Sequence, residues 1–567
     1  MNLRRNLIAA AGCVLLLVML LVPLAQLLMR SADTLLDQKQ TEIARALEME
    51  RERAALSPYT PVQPAPDIET IWAIEDARTE TDEPLVTSMR CSTGEAGYDA
   101  GSRTFYATLG MDTGDEWPEI TLSARGAENV QVLWIDDYSY DWCSDAIREG
   151  YRYELLAYTD TRYAYIGVVF TGLPIVNVYT ENQQELTRED IAARVSIAAG
   201  GYEAIDAPAL VHRRGGRFDD HAPKASFHVE FHQLSEKGKD KKPKLSVLGM
   251  EADSDWLLIS HEGDPSCMRN KLAFDMWRRW NPDGNAFAML ESRMVEVFYQ
   301  NEYMGLYQLI QRIRPEQELA RMGDRVDRNI AVRLIGGRYE TGRPVSQISL
   351  PIDGCMELRY APAWMKEDAA FARLEDYVTL NLSEGSENWL DDEAFAQLAL
   401  ERVDIRELMS YYLYMNVCSL PYDNVKNNVY IWVRWNEDQY MYSLSPWDMD
   451  SGFRPLFTDG SDSINLWMVL PVRMLELNVG NCREVFKEVF EEKRAELLTE
   501  DALYQWIEEE EEIINASGAY LRESARWQGG AQELDLSEVF AHTASQMHLI
   551  ERYIQGVWPV AGMTPEE

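Results

Sequence analysis

Residues 391–420 read DDEAFAQLALERVDIRELMSYYLYMNVCSL, with apolar positions returning every three or four residues. That period predicts a long amphipathic helix. The same spacing in PSCMRNKLAFDMWRRW predicts another. Residues 31–56, with Leu35, Leu36, Ile43, Ala46 and Leu47, predict a third that forms a stalk. Between 68 and 205 the texture changes to short runs rich in β-branched and aromatic residues, such as RTFYATLGM, NVQVLWIDD, RYELLAYT and AYIGVVFTG. Turn signals separate them, which predicts a β-sandwich-like domain. Strands continue with the alternating ASFHVEFHQL. RMVEVFYQNEYMGLYQLIQRI then reads as strand, turn and strand, with Asn301-Glu302 near the turn. From 365 onward the pattern is helical, interrupted by one short hairpin. The fold class is therefore α+β.

The first thirty residues stand apart. Residues 7–29 are apolar and uncharged over 23 positions, long enough for a membrane-spanning helix. Arg4 and Arg5 precede that run, so the positive-inside rule keeps the N-terminus cytoplasmic and the bulk of the chain extracytoplasmic. SPYTPVQPAPD carries four prolines and reads as a linker. The expected division is an anchor at 1–30, stalk and linker at 31–67, a β-rich domain at 68–205 and a larger domain at 206–560.

Charge narrows the function. The chain has 54 Lys and Arg against 94 Asp and Glu, a net charge of −40. That argues against nucleic acid as a partner, because phosphate backbones need basic surface. An anionic ligand needs a local cationic pocket against this field. None of the six cysteines after residue 30 forms a C-x-x-C pair, so zinc and redox motifs have no support. Cys91 and Cys143 are the nearest pair that an exterior disulfide would join. The acidic run 508–512 reads as a solvated helix face.

One stretch has more oxygen ligands than a turn requires. PYDNVKNNVYIW places Asp423, Asn424, Asn427 and Asn428 before a β-rich run, and SPWDMDSGF places Asp448 and Asp450 after the next. A hairpin over the intervening residues brings Asp448 beside Asn428. One carboxylate to accept a hydroxyl proton, with an amide oxygen and further carboxylates for a hard cation, is the apparatus of phosphoryl transfer. The plainer reading is that these residues cap helices and fill turns. A glycosidase pair at Asp448 and Asp450 is disfavoured, because residues two apart on a strand point the same way.

Four ordered segments resemble the spore coat protein CotH kinase family. They are VHRRGGRFDDHAPKASFHVEF, WLLISHEGDPSCMRNKLAFDM, VEVFYQNEYMGLYQLIQ, and PYDNVKNNVYIW with SLSPWDMDSGF. The resemblance implies an atypical two-lobed protein-kinase-like domain, with a strand-rich N-lobe and a helix-rich C-lobe. It also implies Mg²⁺ or Mn²⁺ with ATP as co-substrate, and a Ser/Thr acceptor on a surface or spore-coat protein. By position, Asp423 is the catalytic base. Asn428, Asp448 and Asp450 hold the metal, and Lys224, Arg214 and Arg269 contact the nucleotide. Glu291 and Glu296 are both possible partners for the lysine. The chain departs from the pattern at Gly216-Arg217, where the family has small polar residues, and at Gln311, where it commonly has Glu. A catalytically degenerate surface-binding protein is the alternative.

Overall fold

The computed structural model describes residues 37–556 except 54–55, 57, 65–66, 111–115, 119, 137–141, 216–221, 235–239, 324, 336–354, 421–422, 437–438 and 456–462. The apolar run 7–29, expected to be an anchor, lies outside the described residues. Among the described residues no helix is long and apolar enough to cross a membrane.

The chain is mixed α+β. Its N-terminal part holds a four-stranded and a seven-stranded sheet. Val86, Met89 and Ala124 of the first meet Phe105, Leu155 and Val168 of the second in one apolar core. Alternation along each strand supplies that shared face. Cys91 and Cys143 are both free thiols, so the expected bridge is absent. Cys143 is buried where a helix begins, and Cys91 bonds to Thr93 at 2.8 Å.

Seven strands then close into a barrel. They are β1 (Ile175–Thr180), β2 (Ile191–Ala198), β3 (Ile205–Arg214), β4 (Ser226–Phe231), β5 (Asp255–Ile259), β6 (Ser292–Tyr299) and β7 (Glu302–Gln311). Phe227, Val229 and Phe231 of β4 point into the barrel with Trp256, Leu258 and Tyr307. The alternate residues Ser226 and His228 face outward. The first two strands precede the expected start at 206. Their place in the barrel follows from closure, because β1 pairs in parallel with β6 across more than a hundred residues. The β6–β7 turn falls at Gln300-Asn301, both left-handed (φ 53° and 63°).

Helix α1 (Arg269–Trp280) forms where its spacing predicts it. The long helix expected over 391–420 is two, α2 (Asp392–Arg402) and α3 (Ile405–Val417). Val403 is extended, and the Asp404 carboxylate caps the second helix by accepting from Glu407 N. A capping carboxylate starts a new helix where the apolar period alone shows no break. A four-stranded sheet sits among the helices, in the order β9 (Met356–Tyr360), β8 (Ile330–Leu334), β10 (Val429–Asn436), β11 (Gln439–Pro446). Its last two strands are the expected hairpin.

Of the expected stalk at 31–56, the described helix does not stand away from the body. Residues 37–53 are helical and lie along the barrel. There Lys39 meets Asp190 and Glu230, each at 3.0 Å, and Ala192 N donates to Glu42 Oε2. Three glutamates of the acidic run also have partners outside their own helix. Glu510 pairs with Lys271, Glu512 with Arg148 of the N-terminal part, and Glu511 accepts from Leu536 N.

Candidate active site

The β10–β11 register sets Val429 opposite Pro446, so the residues just outside the ladder meet. Trp447 N donates to Asn428 O at 3.0 Å, which brings Asp448 beside Asn428. Both residues are left-handed, Asn428 at φ 29° and Asp448 at φ 55°. Asn and Asp tolerate that region better than other side chains with a Cβ. A one-turn helix, Asp423–Lys426, precedes β10. Buried Asn424 fastens it to the opposite loop, donating to Trp447 O and Asp448 O at 3.1 Å each. The Asp423 carboxylate accepts from Asn428 Nδ2 at 2.8 Å and from Asn427 Nδ2 at 3.4 Å. Asn428 spends its amide N–H on Asp423, and its oxygen is left as an acceptor.

The second loop is tied to the barrel. Buried Asn270 of α1 accepts from Met449 N at 2.8 Å and donates to Gln308 Oε1 of β7 at 2.7 Å. One amide therefore sets the height of the Asp448–Asp450 segment against the barrel wall. Burial and the neighbouring Asp448 charge push the Asp450 carboxyl up to about 7.

Asp423, Asn427, Asn428, Asp448 and Asp450 line one cleft of about 1110 Å³ between the outer face of the barrel and the β8–β11 sheet. Asp423, Asn428, Asp448 and Asp450 mark one region of its lining. Leu257, Ile259, Ile313, Ile335 and Tyr430 give it an apolar floor and roof. Arg188, Arg213, Arg214, Arg312, Arg333 and Arg359 make it basic in a chain of net charge −40. This is the local cationic pocket that an anionic ligand requires.

A family model described as CotH kinase protein matches residues 211–553. The chain belongs to the CotH kinase protein family. No curated protein matches it. The matched span runs from β3 of the barrel to the last helix and includes every residue lining the cleft except Arg188. In this family member, Asp423, Asn428, Asp448, Asp450 and Arg214 converge on the cleft. Arg214 lies 5.9 Å over the Trp447 ring.

Lys224 and Arg269 are not among the residues lining that cleft. Lys224 is 4% exposed, with its ammonium donating to Glu523 Oε1 at 2.5 Å and Leu306 O at 2.9 Å. Arg269 pairs with buried Asp264. The lysine's acidic partner is neither Glu291 nor Glu296. Glu291 pairs with Arg278, and Glu296 with Arg522. Glu523 lies 299 residues from Lys224, on the helix Ala519–Trp527, and no local spacing announces it. The basic wall had a partial signal in Arg213-Arg214; Arg312, Arg333 and Arg359 had none. His261 was also unforeseen. It lines the cleft at 3% exposure, and burial lowers its ring pKa to about 4.

Among the described residues no group of three or more His, Cys, Asp or Glu is arranged to hold a metal. The set at the cleft is an amide oxygen with two carboxylates. Such oxygen donors suit Mg²⁺, which keeps part of its shell for water and phosphate. Two neighbouring carboxylates, one pushed toward neutrality by burial and by the other's charge, also suit a divalent cation.

Proposed function

We propose that this chain transfers the γ-phosphoryl group of ATP to a Ser or Thr hydroxyl of a surface or spore-coat protein. In this reading the chain works on the extracytoplasmic side of a membrane, held there by residues 7–29, as a two-lobed kinase-like enzyme. The observation that carries the reading is the meeting of Asp423 and Asn428 with Asp448 and Asp450 in one basic cleft. The barrel acts as one lobe and the helical part with the β8–β11 sheet as the other.

The apolar residues Leu257, Ile259, Ile313, Ile335 and Tyr430 receive the base. Arg214 meets phosphate oxygens. Asn428, Asp448 and Asp450 hold Mg²⁺ or Mn²⁺, which when bound neutralises charge on the phosphates and orients them for in-line transfer. Asp423 accepts the proton of the acceptor hydroxyl. The amides of Asn427 and Asn428 fix its carboxylate toward the acceptor before the acceptor arrives. Catalysis of this kind is mostly positioning and charge stabilisation.

The deciding experiment incubates the ectodomain with γ-labelled ATP, Mg²⁺ and a casein-like acceptor. Labelled Ser or Thr that disappears in Asp423→Ala supports the reading. Equal labelling by the variant removes Asp423 from the base role.

One observation favours a second reading, a non-catalytic surface-binding protein. Lys224 and Arg269, expected to contact the nucleotide, are not among the residues lining the cleft. A thermal shift separates the two. A ligand that binds the native state raises its melting temperature, so ATP with Mg²⁺ or Mn²⁺ stabilises the kinase and leaves a pure scaffold unchanged.

A further inference from the structure

The proposed reaction leaves one buried group of the cleft without a task. His261 lies just past the end of β5 and lines the cleft at 3% exposure. Neither of its ring nitrogens has a hydrogen-bond partner among the described residues. Buried polar groups are nearly always bonded, and one left alone costs free energy. Two other histidines on the same wall show the usual arrangement. His212 Nδ1 bonds to Asp190 at 2.7 Å, and His228 Nε2 bonds to Asp255 at 3.1 Å. Nothing of that kind holds the His261 ring.

Its backbone, by contrast, is fixed from both sides. Ser260 N donates to Ser226 Oγ at 3.0 Å, which ties the segment to β4. Asp264 N donates to His261 O at 2.8 Å and closes a turn. Between these bonds His261 is left-handed, at φ 56°. A side chain with a Cβ adopts that region where its surroundings impose it, often beside functional sites. The χ2 torsion of a histidine is broad and roughly two-fold. A half-turn exchanges each ring nitrogen with a ring carbon, and here it breaks no hydrogen bond.

The position of the segment points to the ligand. Ile259, two residues earlier, belongs to the apolar lining given to the base. Gly263, two residues later, accepts from Arg454 Nη2 at 3.1 Å, and that guanidinium lies 3.7 Å from the Asp264 carboxylate. Arg454 closely follows Asp450 in the chain. His261 therefore stands between the base-binding stretch and the metal-binding loop, where the phosphates of a nucleotide run. Burial lowers its ring pKa to about 4, with Asp264 opposing and Lys224 adding to the effect. Near pH 7 the ring is neutral and carries one N–H and one lone pair. An N–H donated to an ionised phosphate oxygen makes a charge-assisted bond.

We infer that His261 is a further nucleotide ligand, donating one ring N–H to an oxygen of the polyphosphate chain. The inference rests on the proposed nucleotide reading of the cleft. It gives the phosphates a neutral donor on the barrel side, where Lys224 is sealed against Glu523.

The test is calorimetric titration of the full chain with adenosine, ADP and ATP in the presence of Mg²⁺. His261→Leu is expected to weaken ADP and ATP by about tenfold or more, the scale of one hydrogen bond to a charged group. Adenosine binding stays unchanged, which shows that the cleft is intact. His261→Asn carries an amide N–H near the place of Nδ1, and His261→Gln carries one near that of Nε2. The variant that restores ADP and ATP binding names the donating nitrogen. Failure of both to restore it overturns the inference and gives the ring a packing role. A loss for adenosine as large as that for ATP also overturns it, because the contact then lies at the base or ribose. Equal nucleotide binding by the parent and all three variants removes His261 alone. A parent chain that binds none of the three ligands removes the nucleotide reading and this inference together.

Discussion

Lys224–Glu523 and Asp448–Asp450 are both charged pairs beside the barrel, built in opposite ways. The first joins opposite charges. It is sealed from solvent, and Leu306 supplies a carbonyl to the ammonium and a backbone N–H to the other carboxylate oxygen. The second joins like charges at the mouth of a cleft, with Asp448 exposed and Asp450 half-buried. A satisfied pair of opposite charges needs nothing further. Two carboxylates side by side are stable only in the presence of a proton or a cation. The family resemblance assigned Lys224 to the nucleotide and Asp448 and Asp450 to its metal, whereas the structure seals Lys224 against Glu523 and leaves Asp448 and Asp450 on the lining of the cleft.

Substitution should separate the two pairs by which property fails. Asp423→Asn, beside the open pair, lowers kcat for phosphoryl transfer by roughly 10² to 10⁴, the usual contribution of a general base. The melting temperature stays unchanged. A variant within tenfold of the parent would merge the two classes again. Lys224→Met acts on stability. It strands a buried carboxylate and costs about 3–5 kcal/mol in denaturant unfolding. Lys224→Met with Glu523→Leu recovers most of that loss, because no uncompensated charge remains. A double variant as unstable as the single would contradict the sealed-pair description.

Asn270→Ala removes the amide between β7 and the Asp448–Asp450 loop. It leaves Met449 N and Gln308 Oε1 without the Asn270 amide and costs about 1–3 kcal/mol. KM for ATP rises as the loop loses its fixed height. Unaltered unfolding and KM would show that the loop is set by other contacts. The smallest effect concerns Asp255, on the barrel strand β5. Burial pushes its carboxyl up, and His228, Ser254 and Arg314 outweigh that and hold it well below the usual carboxylate range. Its charged form is bound more tightly in the folded state. Its contribution is thus complete above its unfolded value of about 3.9 and is lost as the pH falls further. Asp255→Asn flattens the acid limb of a stability–pH curve. An unchanged limb would assign the acid sensitivity to other groups.

The elements legible in the sequence were those set by local pattern. The β10–β11 hairpin follows from two β-rich runs around a polar turn, and its register alone brings Asp448 to Asn428. Helix α1 follows from its apolar period. The break at Val403-Asp404 was hidden because apolar spacing continues through it, while a single capping carboxylate sets the new start. Barrel closure by β1 and β6, and the ion pair of Lys224 with Glu523, depend on residues distant in sequence, which periodicity cannot connect. The acidic run 508–512 looked solvated because composition does not show that Lys271, Arg148 and Leu536 N come to meet it. Arg333 and Arg359 were invisible for a related reason, since their common sheet face exists only once β8 and β9 pair.

The contrast between the two pairs is tested most directly by calorimetric titration of ATP with Mg²⁺ into three folded proteins, the parent chain, Asp448→Ala and Lys224→Met. The account predicts metal-dependent binding by the parent and by the folded fraction of Lys224→Met, and its loss in Asp448→Ala. Full affinity in Asp448→Ala together with none in Lys224→Met would contradict it and make the sealed lysine the nucleotide ligand.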